Sequence, residues 1–466
     1  MKMTKMCLAC AATTLALVST VSGGPLTPPA GPVTSTGKTL QQVEPRTPID
    51  SLPGTAVSMY KITQPGSYYL TGNINLSAGK TTCIEVGVDG VTIDLNGFTL
   101  NGLNTNATTA IRAEDKFACD GLRVHNGHIT DWGIGIDGTG LYGGVFEDLR
   151  LTFNDQFGLD AGYHGVVSRC SAVVCGSGIY LRQGGTASKC TASFCGIGID
   201  MGLGGTASDS QASSCGFGFF LSVGCSAGTC VAHSCSVGFG GNDRNTLTDC
   251  TASLCNDGIS VAQASRVSGC HVGGGSGPGI GVSHGSTVER CTVNGQGLRG
   301  IIAGDKCSIS DNRVEFCGGA GIHVIGLATM VTGNNVQRCE LDVGILIEGD
   351  DNQLELNRVE GSGLEGIKVV GTRNLVVRNR VCASARTTGG LTFLDYSIPA
   401  GNHAGSVLLP SSFVTTAEQN ANYACGFVPP DPIRTGQAGA PAGAAAALAP
   451  ASSSHPERAT PAVPGR

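Results

Sequence analysis

Between Cys170 and Val381 the sequence repeats every 20 to 23 residues, and each repeat carries a Gly followed by a large apolar residue. The pairs are Gly178-Ile179, Gly198-Ile199, Gly218-Phe219, Gly238-Phe239, Gly258-Ile259, Gly279-Ile280, Gly300-Ile301, Gly321-Ile322, Gly344-Ile345 and Gly366-Ile367. A fixed period of this size marks a solenoid, in which each repeat buries its apolar face only against its neighbours.

The repeat itself reads as strand. Two residues past each Ile or Phe stand Leu181, Met201, Leu221, Gly241, Val261, Val282, Ala303, Val324, Ile347 and Val369, nearly all apolar, while the intervening positions are chemically mixed, as in Tyr180, Asp200, Phe220, His323 and Lys368. Apolar, mixed, apolar is the period-two signature of a strand with one buried face, and no stretch of the repeat shows helical periodicity. A second ladder runs through Cys170, Cys190, Ser210, Cys230, Cys250, Cys270 and Cys291, then Asn312, Asn334, Asn357 and Asn379. Inward Asn side chains stacked on one another satisfy their own amides, and Cys in the same slot packs as a small apolar residue.

Asn ladders, aliphatic stacks and coils of this length resemble the right-handed parallel β-helix of the pectate-lyase-like superfamily. The stretch from Ile62 to Ile74, followed by Val91 to Leu100, is similar to the opening of exported bacterial β-helix repeat proteins, and Tyr396 to Asn402 resembles their closing segment. The resemblance implies an all-β fold, a right-handed single-stranded parallel β-helix over residues 55–428.

The termini differ in character. Lys2 and Lys5, the apolar run from Cys7 to Val21 and the small residues to Gly23 read as a secretory signal peptide over 1–23. Residues 24–54 read as a flexible leader, and 429–466, made of Ala, Pro, Gly and Ser, as a disordered tail. The expected location is secreted or cell-surface, with no membrane span. A formal charge of -6 without a basic block leaves nucleic acid no electrostatic footprint. Of 21 cysteines, two lie in the signal segment. Stacked coils bring Cys rows close enough for disulfides in an oxidising compartment, but a buried thiol stack is the favoured reading, and no metal site is expected from them.

A packed interior leaves chemistry to outward residues. The outward row holds Asp137, Asp160, Tyr180, Asp200 and Phe220, with Arg182 on the next outward position and His164 in an adjoining turn. Adjacent rungs lie about 5 Å apart, so Asp160, Tyr180, Arg182 and Asp200 form one patch, with Asp137 at its edge if the longer coil before it keeps register. Asp160, Asp200 and Arg182 are the candidate catalytic groups. Tyr180, Phe220, Asp137, His164 and the lone Trp132 are candidate substrate contacts, though Trp132 reads equally as packing between cap and coils. A carboxylate pair serves glycosidic cleavage, while Ca²⁺ on carboxylates with Arg as base serves β-elimination of a uronate. Against catalysis, the polygalacturonase pattern of Asn-Thr-Asp followed by Asp-Asp one coil later does not occur, and Asp350-Asp351 lacks an Asn-x-Asp one coil before it. His323 and Lys368 read as surface decoration. The sequence therefore favours a non-catalytic glycan-binding or cell-surface structural protein over a lyase, hydrolase or epimerase acting on acidic polysaccharide.

Overall fold

The computed structural model describes residues 44–103, 107–114, 119–339, 341–382, 384, 387–388, 391–392, 395–405, 407–408 and 422–424. The signal segment, most of the leader and the Ala/Pro-rich tail lie outside the described residues. The chain divides into two units, Met1–Arg46 and Thr47–Arg466. Of the first, only Glu44 to Arg46 is described, where the Arg46 guanidinium pairs with Glu44 at 2.7 Å.

The second unit is a parallel β-solenoid with three strands per regular coil. In one coil these are Ser177–Leu181, Thr186–Ser188 and Thr191–Ser193. The first kind builds a 16-stranded sheet running from Ser58–Ile62 to Tyr396–Ser397, and the other two share a 32-stranded sheet. Pairing between coils is parallel and in register: Ile179 lies opposite Ile199, which lies opposite Phe219 and then Phe239. The coil path begins earlier than the 24–54 leader assignment allows. Thr47 and Pro48 pair with Tyr68 and Tyr69, and Ile49 is fully buried, so this end of the leader is the first rung.

The repeating glycine is a matter of space. A Cβ on Gly178 would stand 2.6 Å from the Gly198 carbonyl oxygen and 3.0 Å from the Ala172 methyl, and Gly198, Gly218 and Gly238 meet the next coil in the same way. The left-handed residues lie elsewhere, at three corners per coil. Successive coils turn at His164, Arg169 and Val174 and then at Gly184, Lys189 and Phe194, all with φ between 54° and 71°. A left-handed Val or Phe costs roughly 1–3 kcal/mol locally, so stacking between coils, and not local propensity, fixes these corners.

Inside, the aliphatic rows and the stacked pair Phe219 and Phe239, 4.8 Å apart, form one continuous core. The Asn ladder is present: the side-chain amide of Asn312 donates to Asn334 Oδ1 at 3.0 Å, Asn334 to Asn357 at 3.0 Å and Asn357 to Asn379 at 2.9 Å. Each of these oxygens also accepts the backbone N–H of the preceding ladder residue. Asn422 extends the ladder beyond Asn379. A second ladder, through Thr329, Asn352, Asn374 and Asn402, runs at another corner. Cysteines 83 to 339 are buried free thiols, whereas Cys382 is disulfide-bonded. Several thiols donate to the carbonyl two residues earlier, as Cys190 does to Ser188 at 3.3 Å.

Asn334→Ala strands the Asn312 backbone N–H and one of the two N–H bonds of its side-chain amide, the other still donating to the Val288 carbonyl, at about 1–3 kcal/mol for each orphaned donor. Urea unfolding and hydrogen exchange of the flanking coils will show that loss, and the exposed control Asn294→Ala will not. The 17 free thiols will resist alkylation in native protein at mildly alkaline pH and react after unfolding.

Candidate functional site

The 16-stranded sheet presents one outward row along successive coils. Its register runs Lys61, Glu85, Arg112, Asp137, Asp160, Tyr180, Asp200, Phe220 and Gly240. The five residues expected from Asp137 to Phe220 therefore share one wall. The row also begins three rungs earlier than the sequence reading placed it.

Most charges on this wall are tied to one another. The Arg182 Nε lies 3.0 Å from both carboxylate oxygens of Asp160, and its Nη2 donates to Oδ2 at 2.7 Å. The Gly162 N–H adds a bond to Oδ1 at 3.1 Å. The Asp160 side chain is 3% exposed and that of Arg182 24%. Arg182 also donates to Thr139 Oγ1 at 3.2 Å, and that hydroxyl donates to Asp137 Oδ1 at 2.6 Å. Arg112 stands 3.8 Å from the other Asp137 oxygen. Nearer the cap, Lys61 bridges Glu85, at 3.0 Å, and Glu114. The bond to Asp160 raises the pKa of Arg182 further, which favours its charged form.

Asp200 is the exception. Among the described residues its carboxylate has no hydrogen-bond or ion-pair partner. It lies between Tyr180 and Phe220 in register, with Ile197 and Phe217 opening the same two strands. Burial, helped by the negative charge of Asp160, raises its pKa from 3.8 to about 6. The rings around it are held in place. Tyr180 stacks on Phe157 at 5.6 Å with the Arg182 guanidinium 5.3 Å from its centroid, and Phe220 meets Phe217 edge-on at 5.6 Å. The Phe217 ring occupies the space that a side chain at Gly240 would need, its Cε1 2.7 Å from where a Cβ would stand.

Beyond Arg182, Tyr163 and Tyr142 stack at 5.0 Å. His164 is exposed at a left-handed corner beside them, 6.3 Å from the Tyr142 ring. Its imidazole lies over Gly184. Trp132 does not belong to this surface. It is 0% exposed and its indole N–H donates to the Leu100 carbonyl at 3.0 Å, so it packs the transition from cap to regular coils and offers nothing to a ligand. His323 is likewise not decoration on the surface: it is 3% exposed, with Nε2 3.1 Å from Glu348 Oε2. Lys368 pairs with Glu365 at 3.1 Å.

The geometry sorts the three candidate catalytic groups. Asp160 and Arg182 saturate each other. Asp200 is two rungs from Asp160, about 10 Å, beyond the roughly 5–5.5 Å of a retaining carboxyl pair and at the far limit of the roughly 6.5–9.5 Å of an inverting one. Ca²⁺ takes about 6–8 oxygen ligands. Both Asp160 oxygens are occupied by donors, and among the described residues no three His, Cys, Asp or Glu side chains gather to hold a metal. A calcium ion does not fit this wall.

The raised pKa of Asp200 has a stability consequence. The folded state holds this proton more tightly than the unfolded chain does, so the contribution is full below the unfolded value and lost as pH rises through about 6. Asp200→Asn is uncharged throughout. The variant will therefore gain up to about 3 kcal/mol over the parent at about pH 8 and nothing at about pH 3, at about 1.4 kcal/mol per pKa unit. Denaturant melts at the two pH values measure the difference.

Residues 283–420 match the family model described as a right handed beta helix region. No curated protein matches the chain. Solved structures similar to it include the A-module of an Azotobacter vinelandii mannuronan C-5 epimerase, at 14% identity, covering 79% of this chain and 92% of that one, with a TM-score of 0.33. A Streptomyces thermodiastaticus GH87 alpha-1,3-glucanase catalytic unit aligns at 12% identity over 79% and 70%, with a TM-score of 0.36. The tailspike protein of an E. coli bacteriophage aligns at 14% identity over 80% and 72%, with a TM-score of 0.30. Likeness at this level concerns the coiled path of the chain and transfers no chemistry. The parallel coils make this chain an all-β solenoid, and its residues 283–420 carry the right-handed β-helix match.

Proposed function

We propose that the protein is exported and binds glycan on the outward wall between Asp137 and Phe220 without cleaving or epimerising it. The observation that carries this reading is the contrast between Asp160 and Asp200. The carboxylate that has an Arg beside it is fully occupied by that Arg, and the carboxylate without a partner stands two rungs away, about 10 Å, outside the spacing of a retaining pair. What remains on the surface is a half-buried acceptor among fixed aromatic rings, the combination that holds a sugar by hydrogen bonds from its hydroxyls and by contact with its apolar face. Export rests on the Lys-flanked apolar run before Gly23.

A second reading, glycoside hydrolysis, has one observation in its favour: a carboxyl raised to about 6 is poised to act as a general acid. The two are separated by native electrophoresis through gels containing individual polysaccharides, together with assays for new reducing ends and unsaturated uronates. At least one polymer will retard the protein with no product formed. Phe220→Ala and Asp200→Ala will weaken the retardation about tenfold or more, the effect of losing a charged hydrogen bond or an aromatic contact. Product formation abolished by Asp200→Asn would establish the enzyme instead.

A further inference from the structure

We infer that the ligand of this wall is a neutral saccharide, gripped through its hydroxyls by the Asp200 carboxylate and through its apolar face by Phe220, and not a uronate polymer. The inference rests on the glycan-binding reading and narrows it. A uronate needs a cation for its carboxylate, supplied either by a side chain or by bound calcium. Lys61, Arg112 and Arg182 are the cations on this wall between the cap and Phe220. Lys61 is shared by Glu85 and Glu114, Arg112 faces Asp137, and Arg182 is forked onto Asp160. A uronate carboxylate taking Arg182 would leave the largely buried Asp160 uncompensated, and one taking Lys61 or Arg112 would have to compete with Glu85 and Glu114 or with Asp137.

The calcium route fails on the donor set, because the wall carboxylates other than Asp200 are separately engaged and no cluster of three forms among the described residues. The open group is negative. Asp200 would repel a uronate at close range and would accept hydrogen bonds from vicinal hydroxyls of a neutral ring. Its surroundings favour an uncharged partner as well: Ile197 and Phe217 stand at the start of its own and the next strand, and the edge-on contact with Phe217 fixes the Phe220 ring. A neutral sugar crossing this patch exchanges water for apolar contact without desolvating a second charge.

The grip depends on pH. The charged and titratable groups around Asp200 are Asp160, paired with Arg182, the Tyr180 phenol, itself pushed up by burial, and the buried Cys225 thiol. The Tyr180 phenol and the Cys225 thiol are both pushed up, away from the range in which Asp200 changes charge, and Asp200 accepts fully only when ionised.

The test is titration calorimetry of the full chain with two sets of oligosaccharides. The neutral set contains gluco-, manno- and xylo-oligosaccharides, and the acidic set contains oligogalacturonate and oligomannuronate, each with added Ca²⁺ or with EDTA. The expected result is binding of a neutral oligosaccharide that tightens about tenfold from about pH 5 to about pH 7.5. Asp200→Asn abolishes that pH response and weakens binding at neutral pH, whereas Phe220→Ala weakens binding and keeps the response. Tighter binding of a uronate, a requirement for Ca²⁺, or stronger binding on acidification overturns the neutral-ligand inference and leaves glycan binding standing. No binding of any saccharide in either set overturns both.

Discussion

Close, in-register approach of one coil to the next governs everything else in this protein. Parallel stacking leaves no room for a Cβ at Gly178, Gly198, Gly218 and Gly238, and this is why glycine recurs with the period of the coil. The same stacking forces three corners per coil into left-handed backbone even where the residue is Val174 or Phe194. It also dictates what can stand inside a corner. An Asn works because its oxygen takes a backbone N–H and an amide from one neighbour while its own amide serves the next, and a Cys works because it is small and asks for little.

Stacking also converts sequence intervals into surface chemistry. Lys61, Glu85, Arg112, Asp137 and Asp160 are scattered over about a hundred positions in the chain, yet they form a single line of charges on the outer wall. Opposite charges meet along that line and cancel, with Arg182 closing its end on Asp160. The row then changes character. From Tyr180 to Gly240 it carries only aromatic rings and a glycine apart from Asp200, which inherits the low dielectric of its neighbours without inheriting a partner. The functional asymmetry of the wall is thus a consequence of where the compensating charges stop.

Much of this was legible in the sequence because a period of 20 to 23 residues, with strict apolar alternation, maps directly onto rungs. The placement of Asp137, Asp160, Tyr180, Asp200 and Phe220 on one wall follows from that alone. The upstream rungs were readable too, in Tyr60-Lys61-Ile62, Ile84-Glu85-Val86 and Ile111-Arg112-Ala113, but they lack the Gly that marked the later coils. Pairing was not legible. Nothing in residue type distinguishes Asp160, locked by Arg182, from Asp200, which is open; the difference lies in Arg182 reaching back one coil instead of forward. Burial of single residues was legible for Trp132 only as one of two readings, and for His323 not at all. Trp132 sits where irregular coils give way to regular ones, and His323 occupies an outward position yet is covered by its surroundings.

Asp200 offers the most direct measurement of this account, since its state depends on the stacking, on the aromatic rungs either side and on the arginine having been consumed elsewhere. A carboxyl-carbon NMR titration with Asp-selective ¹³C labelling, assigned through Asp200→Asn, reports it. A midpoint at about 6 for Asp200 is the predicted result. A midpoint in the ordinary carboxylate range of about 3.9 would mean that Asp200 is solvated or paired, and the wall described above would not be the surface this protein presents.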